Sequence, residues 1–372
     1  MDVGGETQIN TDSQVGKPQD LVKISDTDAE INERVTYDDD DFYSDWRNEN
    51  PNYIELKGTV ADSTGTGVEM KEDTITITKA GVYALSGKLD NGQIIVDEQD
   101  KGTVKLVLNG VEIHATDSAP IYVKKAGKTI ITLEDGTENM ISDGENYVFE
   151  DDTTDEPNAA IFSKDNLTIN GTGKLTVYGN YNNGISSKDD LKITGGQINI
   201  YSADDGLMGR DLVAVKDGTI TIKSAGDGIK SSKGLIVLEG DIFNIQADAD
   251  GIQGETAVYI LGGDYSIFSG GGSVDGSDKT NTKGNPMGSW RDNNTVANTE
   301  QETETKSTKG IKSSTLIAIE GGTFNLDTSD DAIHSDDSII ITDGDITIAT
   351  GDDGIHADKS IIINGGKHQR CI

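Results

Sequence analysis

A corner glycine that returns with a period of about 22 residues constrains this chain more than any other feature. It stands at Gly184, Gly206, Gly228, Gly251, Gly310 and Gly354, with Ala332 in the same place. Successive steps in the numbering are 22, 22, 23, 59, 22 and 22. A fixed period in this range marks a repeat architecture, in which each unit buries its apolar face against the next.

The pattern inside the period says which repeat. Apolar residues alternate along two short runs, as in Leu191, Ile193, Ile198 and Ile200, then Val213, Val215, Ile220 and Ile222. Ile317, Ile319, Phe324 and Leu326 repeat it, as do Ile339, Ile341, Ile346 and Ile348. Such alternation means strands with one face turned inward. A Gly-Gly or Asp-Gly pair parts the two runs, at Gly195-Gly196 and Asp217-Gly218 for example, and a third short strand follows the corner. Three strands and three turns fill one such period, and no helical period does. Leucine-rich repeats share the length but require a leucine frame and an asparagine ladder, both absent here. The expected fold is all-β, a right-handed parallel β-helix.

Composition agrees. Only 33% of the 372 residues are hydrophobic and 5% aromatic, with 45 glycines and 5 prolines. That is little for ordinary globular domains, but a solenoid needs only a thin apolar stripe. The formal net charge is −35, from 66 acidic and 31 basic residues, which argues against nucleic acid and anionic lipid as partners. Cys371 is the single cysteine, so no internal disulfide forms. No apolar run is long enough to span a bilayer. Met1 to Asn10 lacks the basic and apolar regions of a signal peptide.

Residues 1–52 are polar and acidic and read as a flexible stalk, with Tyr37, Phe42, Tyr43 and Trp46 docking its last part on the helix end as a cap. Residues 53–157 carry β-type runs such as Thr74 to Ile77 and Gln93 to Val96, expected as irregular first coils; a separate β-sandwich is the alternative. Residues 158–372 form the regular coils. The step of 59 exposes an insertion over 271–306, which carries Trp290 and is expected to leave one turn as a loop. After Gly366 the next strand should place apolar residues at His368 and Arg370, and does not, so a truncated C-terminus is expected.

Residues one period apart stack at about 4.8 Å along a β-helix. The sharpest column precedes the corner: Asp205, Asp227, Asp250, Asp331 and Asp353, flanked by Asp204, Asp330 and Asp352. Carboxylates so close repel one another, and Ca²⁺, which takes six to eight oxygen ligands, would relieve this. The alternative is that these acids serve turn geometry and face water. A second column follows the corner: Ser186, Met208, Lys230, Gln253, Lys312, His334 and His356. This basic and polar strip suits sugar hydroxyls or carboxylates, and the two histidines could ligate a transition metal; a merely solvated face is the alternative. Lys230 or Arg210 could act as base in a calcium-dependent lyase, though no catalytic spacing supports it.

The runs GQIIVDEQDKGTVKLVLNGVEIHATDSAPIYVKKAGKTIITLEDGTENMISDG and EPNAAIFSKDNLTINGTGKLTVYGNYNNGISSKDDLKITGG, with the DDAIHSDDSI and DDGIHADKSI coils, resemble a bacterial cell-surface carbohydrate-binding β-helix family related in fold to pectate lyases. The likeness covers about Tyr53 to Gly366. It implies a secreted or lipoprotein-anchored, extracellular protein that binds calcium and plant-type polysaccharide such as cellulose or acidic sugars; the lack of a catalytic spacing in the residues adds the expectation of binding without catalysis. Sugar contacts are then expected at Lys230, Lys312, His334, His356 and Trp290, with Tyr201 and Tyr259 as further stacking candidates, in a monomer. A uronate lyase and a structural surface spacer remain the alternatives.

Overall fold

Why the chain coils rather than folds back is visible in its turns. A Gly-Gly or Asp-Gly bend sends each strand onward at an angle, and the second residue of the bend takes the left-handed conformation at Gly196, Gly218, Gly322 and Gly344. In one coil Asp241 occupies that position, at φ 66°. No tight hairpin can form across such a bend, so each strand meets its equivalent one coil later and pairs with it in parallel.

The computed structural model describes residues 31, 33, 35–149, 153–276 and 306–370. The chain divides into two units, Met1–Thr36 and Tyr37–Ile372. In the first, the described residues hold a helical turn closed by the Val35 N–H on the Ile31 carbonyl at 2.7 Å. The second is a parallel β-solenoid.

Each regular coil has three strands. In one coil they are Leu207–Gly209, Leu212–Val215 and Thr219–Ser224. We refer to the stacks they belong to as the corner, short and long ladders. Among the described residues the corner ladder has 12 strands, and the other two merge into a sheet of 22. They merge because Gly81–Leu89 and Thr103–His114 run unbroken through the bend between them. Antiparallel pairing among the described strands is confined to the start, at Asn52–Gly58 with Ala61–Ser63 and Val68–Lys71 with Thr74–Ile77.

The register follows the expected period. Ile185 pairs Leu207, then Ile229, Ile252, Ile311, Ile333 and Ile355. The pairing of Ile252 with Ile311 places the insertion in one turn, between Ser269 and Lys309. The early coils belong to the same ladder, since Ile94 pairs Ile121 and Ile121 pairs Ile161. That continuity excludes a separate sandwich. Ile346 and Ile348 pair His368 and Arg370, so the register persists where the apolar pattern stops.

Inward side chains form one core along the axis, with an internal stack of Phe243, Tyr265 and Phe324 at centroid spacings of 4.7 and 4.8 Å. The corner glycines are glycines because of this packing. A Cβ at Gly206 would lie 2.5 Å from Ile222 Cγ2 and 2.6 Å from the Gly228 carbonyl.

The aromatics expected to cap the helix end lie instead along its flank. Trp46 packs on Val82, Ala84 and Val107, outward residues of the first coils. Asp41 is fully buried against the next coils, with Lys128 Nζ at 2.6 Å and the Thr168 hydroxyl donating at 2.6 Å. Thus residues 37–49 are a strap held by specific ion pairs and hydrogen bonds.

Candidate functional site

The Asp-Gly corner builds a repeating pair. An aspartate before the corner glycine and a side chain three residues later, on the corner strand, point to the same side. Lys230 Nζ lies 2.8 Å from Asp227 Oδ2 and 3.3 Å from Asp205 Oδ2. Lys312 Nζ lies 3.5 Å from Asp250 Oδ2, and His334 Nδ1 lies 2.8 Å from Asp331 Oδ2. The two columns singled out in the sequence are therefore two sides of one row of contacts.

The other carboxylate oxygens run along the axis. Asp205 Oδ1 accepts the backbone N–H of Asp227 at 2.8 Å, and Asp227 Oδ1 that of Asp250 at 2.9 Å. Asp250 Oδ1 accepts from Lys309 at 2.6 Å, and Asp331 Oδ1 from Asp353 at 3.0 Å. Asn183 fills the preceding rung, its Oδ1 accepting from Asp205. Turn propensity alone would leave these acids in water, yet Asp205, Asp227, Asp250 and Asp331 are buried. Burial pushes the Asp205 carboxyl up to about 6, against the pull of Lys230. Burial also raises Asp250. Lys230 is lowered by burial but raised further by Asp205 and Asp227, so its net shift is upward. An ammonium held in this way is a poor general base. Arg210 is turned towards Asp211, at 3.8 Å, rather than towards the row.

Where the insertion rejoins the helix, Lys309 takes the slot of the aspartate, and its Nζ pairs with Asp330 Oδ2 at 2.7 Å. Asp330, Asp331 and Asp352 each bring a carboxylate oxygen within 4.8 Å of the others. Asp352 is exposed, and burial together with Asp331, Asp353 and Asp330 raises its carboxyl. Of all the expected metal ligands, these three carry the convergent oxygens. Asp205, Asp227 and Asp250 instead face lysines, and Asp204 accepts from Asn182 Nδ2 at 3.2 Å. Trp290 lies outside the described residues. Tyr259 is buried at 1% exposure, and Tyr201, exposed, stacks on Tyr178 on the long ladder, away from the row.

Sequence reasoning missed where the outward column begins. It does not start at Ser186 but continues back through Phe162, Tyr122, Ile95 and Thr76. Over Thr74, Thr76, Gln93 and Tyr122 opens a groove of about 750 Å³. Its wall is the loop after Ser142, with Tyr147, Phe149 and Glu156. Tyr147 stacks on Tyr181 at 4.1 Å and donates its hydroxyl to Asp143 Oδ2 at 2.7 Å. Burial pushes the Asp143 carboxyl up to about 6. The signal for this wall was the aromatic pair Tyr147 and Phe149 in an otherwise polar run. It was hidden because the loop lengthens that coil to nearly twice the common period, so that Ile121 finds its partner only at Ile161.

Three comparisons bear on this geometry. The family model described as "carbohydrate-binding domain-containing protein" matches residues 71–354. A relative of the same description from Acetivibrio thermocellus is 49% identical over 134 residues, 36% of this chain and 47% of its own length. The chain thus spans about half the length of the curated relative it matches. A solved structure titled as a polysaccharide lyase-like protein from C. thermocellum, a gadolinium derivative, is similar over 85% of this chain and 99% of its own, with 29% identity and a TM-score of 0.51.

Proposed function

The chain belongs to the carbohydrate-binding domain-containing proteins, and from that premise we propose that it holds an extended polysaccharide along the outer face of its corner ladder, without cleaving it. The observation that carries this reading is that the groove and the lysine and histidine row lie on one ladder, in the column from Thr76 to His356, with Phe162 and Ser186 buried between them. Its eleven residues, at about 4.8 Å per step, span on the order of 50 Å. The groove offers Thr and Gln for hydroxyls and an aromatic wall for pyranose faces. Lys230 and Lys312 extend the same track with positive charge, which suits a plant-type glucan or a sugar bearing carboxylates.

Calcium has its best place at Asp330, Asp331 and Asp352, where three carboxylates converge and Lys309 pairs with Asp330 alone. Catalysis gains no support, because Lys230 is held as an ammonium between two carboxylates. Secretion and a cell-surface location complete the proposal and rest on the family resemblance.

Affinity electrophoresis in gels cast with cellulose derivatives, other neutral glucans and polygalacturonate tests the reading. Retardation on at least one glycan is expected, weakened at least about tenfold, or 1.4 kcal/mol, by Tyr147→Ala or by Lys230→Met with Lys312→Met. Unretarded migration in every gel would sink it and favour a surface spacer. Ultraviolet absorbance rising in polygalacturonate with calcium would replace it by a lyase.

A further inference from the structure

Beyond sugar binding, we propose that Asp331, His334 and His356 bind a divalent transition-metal ion of the zinc, nickel or copper class. His334 and His356 pair across successive coils, with ring centroids 5.0 Å apart. Both turn Nδ1 towards one carboxylate oxygen, Asp331 Oδ2, at 2.8 and 4.0 Å. Asp353 Oδ2, exposed and 3.4 Å from His356 Nδ1, offers a fourth donor.

The far side of each ring carries the second half of the argument. His334 Nε2 meets Asp336 Oδ1 at 3.0 Å, and His356 Nε2 meets Asp358 Oδ1 at 3.4 Å. A carboxylate on the outer nitrogen fixes the tautomer that leaves Nδ1 as a ligand, and raises its basicity. A neutral imidazole has one N–H. With carboxylates at both nitrogens, Nδ1 faces oxygen lone pairs unless a proton or a metal ion lies between them.

The arrangement comes from a repeated segment, DAIHSD at Asp331 to Asp336 and DGIHAD at Asp353 to Asp358. The coils before them place Lys230, Gln253 and Lys312 in the column, with Ser232, Glu255 and Ser314 two residues on. Histidine and the backing acid occur together only in these two coils of the row. Metal–ligand bonds of about 2.0–2.2 Å set neighbouring donors roughly 3 Å apart. Asp331 and His334 already stand at that distance, and the half-exposed His356 ring needs to close by about 1 Å. Two imidazoles select a borderline metal over calcium, which takes oxygen ligands.

Cobalt and zinc titrations of the full chain, in calcium-free buffer because Asp331 is shared with the proposed calcium site, test the site. One ion per chain and cobalt d–d absorption bands are expected, both lost in His334→Ala and in His356→Ala. Asp336→Asn and Asp358→Asn, which keep both ligating histidines and so guard against a folding defect, are expected to weaken binding roughly 10- to 100-fold. Binding that survives both histidine variants, or the lack of any cobalt spectrum, would each overturn the proposal.

Discussion

Asp205 accepts, through Oδ1 and at 2.8 Å, the backbone N–H of Asp227, its counterpart one coil along the axis. The same oxygen pattern repeats at Asp227 and Asp250, so one residue type both turns the chain and fastens consecutive coils. The second oxygen is left for the surface row. This division of labour explains why a buried column of acids is tolerated: every rung has a backbone donor, and Lys230 and Lys312 supply the opposite charge.

Asp227→Ala removes the acceptor of the Asp250 N–H and the nearer partner of Lys230. A loss of about 1–3 kcal/mol is expected, since a buried donor is left unpaired. Asp227→Asn should cost less, because the amide of Asn183 already fills a rung of the same ladder. Thermal melts of the two variants check the order. Equal losses would mean that charge, not the ladder bond, is what matters.

At the corner itself, Gly228→Ala would place a Cβ 2.4 Å from Ile245 Cγ2 and 2.5 Å from the Gly251 carbonyl. Overpacking of this kind costs about 1–3 kcal/mol. Gly354→Ala, whose Cβ would meet nothing nearer than 3.8 Å, is expected to be nearly neutral. Chemical denaturation of both variants separates a steric origin from a general intolerance of the repeat.

The groove wall should respond to pH through Asp143. Burial holds its carboxyl at about 6, above the 3.8 of an ordinary aspartate. Between those two values the folded chain keeps a proton that the unfolded chain has lost. This residue's contribution to stability therefore falls as pH rises from about 4 to 6. Melting temperatures across that window should fall more steeply in the parent than in Asp143→Asn, the remaining slope belonging to Asp205. Parallel curves would remove Asp143 as the source.

The strap should come away when its buried charge is deleted. Asp41→Ala leaves Lys128 to Asp38 alone, at 2.9 Å, and the Thr168 hydroxyl without its acceptor. The buried hydroxyl left unpaired costs about 1–3 kcal/mol, enough to loosen a local segment. Limited proteolysis should then cut within residues 38–49 while the coils stay intact. Protection equal to that of the parent chain would show that Trp46 and Arg47, through Glu134, suffice to hold it.

The sequence by itself determined the coil, its period and the turn that holds the insertion. A parallel β-helix converts separation along the chain into stacking along one axis, so the repeat alone matches Ile252 to Ile311. The same conversion places Asp227 beside Asp205 and His334 beside His356. Tertiary structure decided what those neighbours do. Which oxygen of Asp205 meets a backbone N–H and which meets Lys230 depends on side-chain rotation at the corner, a choice that period leaves open. The groove over Thr76 and Tyr122 was also beyond reach, because its wall is a loop that belongs to no repeat. So was the flank position of the strap, which Asp41 fixes through Lys128 and Thr168, partners several coils distant in the chain. Periodicity specifies contacts between equivalent residues; contacts between unlike segments arise only once the solenoid presents its outer faces.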